Sequence, residues 1–121
     1  MYHLVTPIPP ITVQQVGSDR VTLSWLHWYD HLRTTDPTAY RIRVVIKYRR
    51  LDARDVEGRT NYTTAAETPT YWTHYTVTGL QEQVSYEFRV ESVKLSMMGG
   101  EVTEQPSAPI VVTTVCSGKI S

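Results

Sequence analysis

The residues of this chain whose types and spacing could do chemistry are His27, Asp30 and His31, in the run His27-Trp28-Tyr29-Asp30-His31. Two imidazoles four positions apart share one face of a helix and could hold a metal ion together. On a loop the same spacing fixes no geometry, and zinc sites take three or four ligands at established spacings. No metal and no cofactor are therefore expected. Asn61-Tyr62-Thr63 is an acceptor triplet for N-glycosylation in a segment expected to be exposed, although so short a pattern also arises by chance. No glycine-rich phosphate loop, nucleophile elbow or pocket-forming pair of carboxylates is present. Catalysis has no foothold in this sequence.

Composition narrows the classes further. A chain of 121 residues is one domain, long enough to bury a core without metal or disulfide staples. Its 12 basic and 12 acidic side chains cancel, so nothing draws it as a whole toward nucleic acid or an anionic membrane. No apolar run approaches the roughly 20 residues that span a bilayer, and direct membrane insertion is not expected. Cys116 is the lone cysteine. It fits a reducing compartment, or a disulfide to a neighbouring domain, and both stay open.

The elements that must position these residues read as strands. Residues 11–16 form the first, with Ile11 and Val13 inward, and Gly17-Ser18-Asp19 turns into 20–25, where Val21, Leu23 and Trp25 share a face. Alternation fails over 26–38, and Asp36-Pro37 marks a turn, so that segment reads as an aromatic-rich loop. Residues 40–49 give the strongest strand signal. Ile42, Val44, Ile46 and Tyr48 point one way, and Arg41, Arg43, Lys47 and Arg49 the other. Polar residues 51–68 read as loop with one short edge strand near 60–64. Strands at 71–77 and 84–93 follow, the latter with Tyr86, Phe88 and Val90 inward. Met98-Gly99-Gly100-Glu101 is a hairpin loop before a last strand at 108–115. Seven short strands without helices between them mean an all-β, two-sheet antiparallel sandwich.

The order of motifs carries a resemblance. Pro9-Pro10, Val21-x-Leu23-x-Trp25, Val44-x-Ile46-x-Tyr48, Val77-x-x-Leu80, Tyr86-x-Phe88-x-Val90 and Gln105-Pro106-Ser107-Ala108-Pro109 together resemble a fibronectin type III domain. The likeness covers about residues 8–115 and implies an immunoglobulin-like Greek key. Residues 1–7 and 116–121 are expected to be linker stubs. Trp25, Ile46, Tyr48, Leu80, Tyr86 and Phe88 are the expected core, with Tyr86 at the corner before a late strand. Leu26-His27-Trp28, Glu82 and Val84 depart from the family's usual loop residues. Its arginine–glycine–aspartate tripeptide and the Trp-Ser-x-Trp-Ser box of cytokine receptors are both absent.

The resemblance implies a non-catalytic protein–protein interaction and spacer module of a cell-surface receptor or adhesion ectodomain. A cytoplasmic module of a cytoskeletal or muscle array, or a spacer in a secreted enzyme, are the alternatives. The expected partners are a protein ligand or neighbouring domains. Trp28, Tyr29, His31 and Trp72 are candidate contact residues, because large rings carry much contact area. Met97 and Met98 join them on a glycine-bearing loop that can reshape around a partner. Against this, Trp28 or Tyr29 could fold back to cap the core. The basic row invites a heparin-like polyanion, but Glu87 and Glu91 are expected opposite it on the neighbouring strand, and a charge-paired sheet face is favoured.

Overall fold

The computed structural model describes residues 8–35, 40–51 and 61–117. Among these residues, eight strands and one helix follow in chain order: β1 Thr12–Val16, β2 Val21–Ser24, α1 Leu26–Thr35, β3 Arg41–Arg50, β4 Thr63–Thr68, β5 His74–Val77, β6 Ser85–Leu95, β7 Glu101–Thr103 and β8 Ile110–Thr113. One sheet has three strands in the order β1-β2-β5; the other has five, β4-β3-β6-β7 with β8 also on β6, and all these pairings are antiparallel. The all-β sandwich is therefore the architecture, with eight strands where seven were expected. The extra strand is β7, which lies between the expected hairpin loop and the expected last strand: it pairs with the far end of β6 (Val93 to Leu95), and β8 with its near end (Ser85 to Phe88). Pro106 and Pro109 fall in the gap, and neither can donate a backbone hydrogen bond.

Alternation explains the core. Val21, Leu23 and Trp25 from the first sheet meet Val44, Ile46, Phe88 and Val90 from the second, all buried. Each such apolar side chain removed from water stabilises the fold by roughly 1.5–3 kcal/mol. The Tyr48 ring lies 6.2 Å from that of Phe88 and 6.0 Å from that of Tyr86. Leu80 is buried beside them, after Gly79, whose φ of 76° lies in the left-handed region that favours glycine. Tyr86 accepts the Gln81 N–H at 2.9 Å, so the phenol pins the turn that delivers β6.

The segment expected to be a loop is helix α1. Trp25, Trp28, Tyr29 and Leu32 recur at helical spacing, which lays Trp28 and Leu32 into the core and packs Tyr29 against it. Trp28 is 0% exposed, and this corrects its assignment as a contact residue. Its indole N–H has no hydrogen-bond partner among the described residues, so its contribution is apolar packing.

The outward basic row also needs a correction at one end. A bulge between Arg41 and Arg43 places Arg41 opposite Lys94, while Val44 lies opposite Ser92. Because Lys94 and Ser92 are two apart, Arg41 shares the face of Val44 rather than that of Arg43. Its side chain, 5% exposed, is held by Glu104 at 2.8 Å, and Glu104 also accepts from the Ser92 hydroxyl at 2.5 Å.

Candidate interaction surface

Strand pairing decides which loops meet. Ser24 at the end of β2 lies opposite both His74 and Thr12. Val44 near the start of β3 faces Thr68 at the end of β4, and Arg41 faces Lys94 near the end of β6. Helix α1, residues 69–73, the hairpin 96–100 and the incoming chain, bridged at Pro10 to Ala108, therefore share one pole. At this pole the side chains divide. Trp28 and Leu32 face the core, while Tyr71 (79% exposed), Trp72 (41%), Met97 and Met98 face solvent. Tyr29 and His31 are half-buried.

Trp72 is fixed on both sides. Its carbonyl accepts the Trp25 indole N–H at 2.8 Å, and its ring stacks on Tyr75 with centroids 6.4 Å apart and planes 24° from parallel. Tyr71, Trp72, Thr73 and His74 line an open pocket of about 350 Å³. Strand alternation over the expected 71–77 would turn Tyr71 inward with Thr73 and Tyr75, but Tyr71 is exposed. The chain is still turning there, because the Trp72 N–H bonds the Pro69 carbonyl, and strand alternation starts only at His74.

His27 and His31 do lie one helical turn apart on α1, with His27 exposed. Among the described residues, however, no group of three or more His, Cys, Asp or Glu side chains could hold a metal ion.

The outward face of the five-stranded sheet is charge-paired. Arg49 meets Glu87 at 2.7 Å, Lys47 meets Glu91 at 3.1 Å, and Arg43 meets both Glu67 and Glu101 at 2.7 Å. Glu91 also takes Arg89 at 2.9 Å and is 4% exposed. Sequence reading did not find Tyr62, which completes this face: it donates to Glu87 and lies beneath the guanidinium groups of Arg89, at 4.0 Å, and Arg49, at 4.9 Å. Burial, then the hydrogen bond to Glu87, push the Tyr62 phenol above its ordinary value of 10.0. Arg43 holds the Glu101 carboxyl below its usual range through their hydrogen bond. With its cations so engaged, the face offers a polyanion little unpaired charge.

Asn61 is exposed just before β4, near the opposite pole, since Thr63 lies opposite Tyr48 toward the end of β3. Cys116 is an exposed free thiol. No helix among the described residues is long and apolar enough to cross a membrane.

Comparison with known proteins agrees with this geometry. The family model described as "Fibronectin type III domain" matches residues 6–113. No curated protein sequence matches the chain. Among solved structures, a multi-domain crystal structure from titin superposes with a TM-score of 0.59 at 24% identity, over 90% of this chain and 32% of that one. The FN1–FN3 domains of chicken CNTN1 give 0.61 at 17% identity, over 88% and 29%. The third fibronectin III domain of human KIAA0343 protein gives 0.59 at 17%, over 100% and 95%. The chain thus spans about a third of the titin and CNTN1 structures. At these identities the likeness is one of fold.

Proposed function

Because the chain belongs to the fibronectin type III family, whose domains are generally non-catalytic protein-interaction modules, we propose that it serves as such a module in the ectodomain of a cell-surface receptor or adhesion protein. The domain would occupy residues 8–115, with short linkers on either side. The observation that carries the reading is the division of side chains at the pole of α1: Trp28 fills the core, while Trp72, Met97 and Met98 present uncompensated apolar surface. Aromatic and methionine side chains of this kind are the usual anchors of protein interfaces.

Asn61 supports the extracellular placement. It is exposed, and Thr63, the hydroxyl residue of the acceptor triplet, stands at the start of β4. A glycan there would sit away from the contact pole. Cys116, exposed and unpaired, favours a second reading, a module of an intracellular array.

Treating the parent protein from its own cells with a peptide-N-glycosidase separates the two. A mobility shift of the Asn61 fragment puts the domain in the secretory pathway. An unshifted fragment, with Cys116 reduced and the parent in the cytosolic fraction, overturns the ectodomain reading.

A further inference from the structure

Sheet edges are the places where a sandwich can gain another strand, and sequences usually blunt them with charge, proline or bulges. Among the described residues, every edge but one is blunted. β1 follows Pro9-Pro10 and carries a bulge between Val13 and Gln15. β4 is bulged against β3 and carries Glu67; β7 has three residues and begins with Glu101; β8 follows Pro109. The sequence of β5, His74-Tyr75-Thr76-Val77, has no Lys, Arg, Asp, Glu or Pro, and its register to β2 runs unbroken from His74 to Val77.

The hydrogen-bond phase shows which backbone groups that edge presents. The Trp25 N–H donates to the Thr73 carbonyl at 2.9 Å. Bonded and non-bonded pairs alternate along an antiparallel ladder, so Leu23–Tyr75 and Val21–Val77 are bonded pairs. Ser24–His74 and Thr22–Thr76 are the non-bonded ones, and the N–H and C=O groups of His74 and Thr76 point away from β2. Two residues that each offer a donor and an acceptor, one position apart, are self-complementary about a two-fold axis through Tyr75. His74 of one chain then exchanges both bonds with Thr76 of another, and the reverse. Tyr75 faces its own copy as a non-bonded aromatic pair, and no like charges meet.

We propose that a second copy of this chain pairs antiparallel with β5 through the free backbone groups of His74 and Thr76, joining two three-stranded sheets across a two-fold axis. Exposed Trp72 and Tyr71 flank the seam. This assigns a partner to the interaction module and rests on that reading for its meaning. Its test reads self-association alone, so failure here leaves the glycosidase result standing, and the converse holds.

The test is sedimentation equilibrium of the whole 121-residue chain, from about 10 μM to about 1 mM, the range in which small interfaces associate. The expected result is an average mass rising with concentration from 13.8 kDa toward twice that value. His74→Pro removes an outward N–H without touching the β2 ladder and should hold the mass at 13.8 kDa throughout. Amide exchange of the unaltered chain is the second measurement, and protection at His74 and Thr76 should grow with concentration. A constant monomer mass for the unaltered chain overturns the proposal. So does association without added protection at those two amides, which would place the contact elsewhere.

Discussion

The indole N–H of Trp25 donates to the main-chain carbonyl of Trp72 at 2.8 Å, tying the largest core ring of the first sheet to the segment that carries the exposed aromatics. Core and contact surface are joined at this bond. Trp25→Ala removes a fully buried ring and this anchor together, and a loss of about 3–5 kcal/mol is expected. Denaturant midpoints measure it; a cooperative mutant of near-parental stability would refute the strand register.

Trp28→Ala should cost a similar amount, about 3–5 kcal/mol, because Trp28 is as deeply buried as Trp25. Trp72→Ala, by contrast, should lower the melting temperature far less while weakening any contact made at this pole. Thermal melts of the two variants side by side check the division; equal losses would mean that Trp72 is structural too.

Removing the Tyr86 hydroxyl takes away the acceptor of the Gln81 N–H but leaves the ring in place. Tyr86→Phe should destabilise by about 1–2 kcal/mol, the range for a hydrogen bond whose remaining partner is partly buried. Chemical denaturation reads this, and an unchanged midpoint would show that the turn holds without the phenol.

Two titrations contribute to the pH dependence of stability. The Tyr62 phenol has its pKa raised by burial and by Glu87, so its contribution is present below pH 10 and is lost as pH rises through the higher folded value. Tyr62→Phe should therefore flatten the alkaline fall in melting temperature. Glu101 is depressed by Arg43, so its contribution is present above the unfolded carboxylate value of 4.5 and disappears as pH falls through the lower folded one. Glu101→Gln should flatten the acid limb. If either variant follows the parental curve over its limb, that group is not the cause.

Much of the sandwich is legible because a period of two survives translation into structure: Val44, Ile46, Phe88 and Val90 read as inward and are buried. The pairing of Lys47 and Arg49 with Glu91 and Glu87 is legible too, since topology alone sets those strands side by side. Helix α1 is not. Its 10 residues are rich in aromatic and β-branched types, have no acidic residue in the first turn, and are held by tertiary packing of Trp28 and Leu32. Arg41 escapes for another reason. A bulge is a property of two strands at once, and one strand's alternation cannot reveal it. Tyr62 is out of reach in the same way, because the charged groups around its ring come from β3 and β6.

The chain comes in beside Pro10 and Ala108, and its last described strand leaves at the far pole, where the Val115 N–H bonds the Gly17 carbonyl at 3.1 Å. The first and last strands thus lie alongside each other and point the same way. Tension applied between the two ends would pull them in opposite directions along their length, loading the bonds of β8 to β6 in shear so that they fail together. In a force–extension trace this predicts one abrupt rupture instead of a gradual peeling.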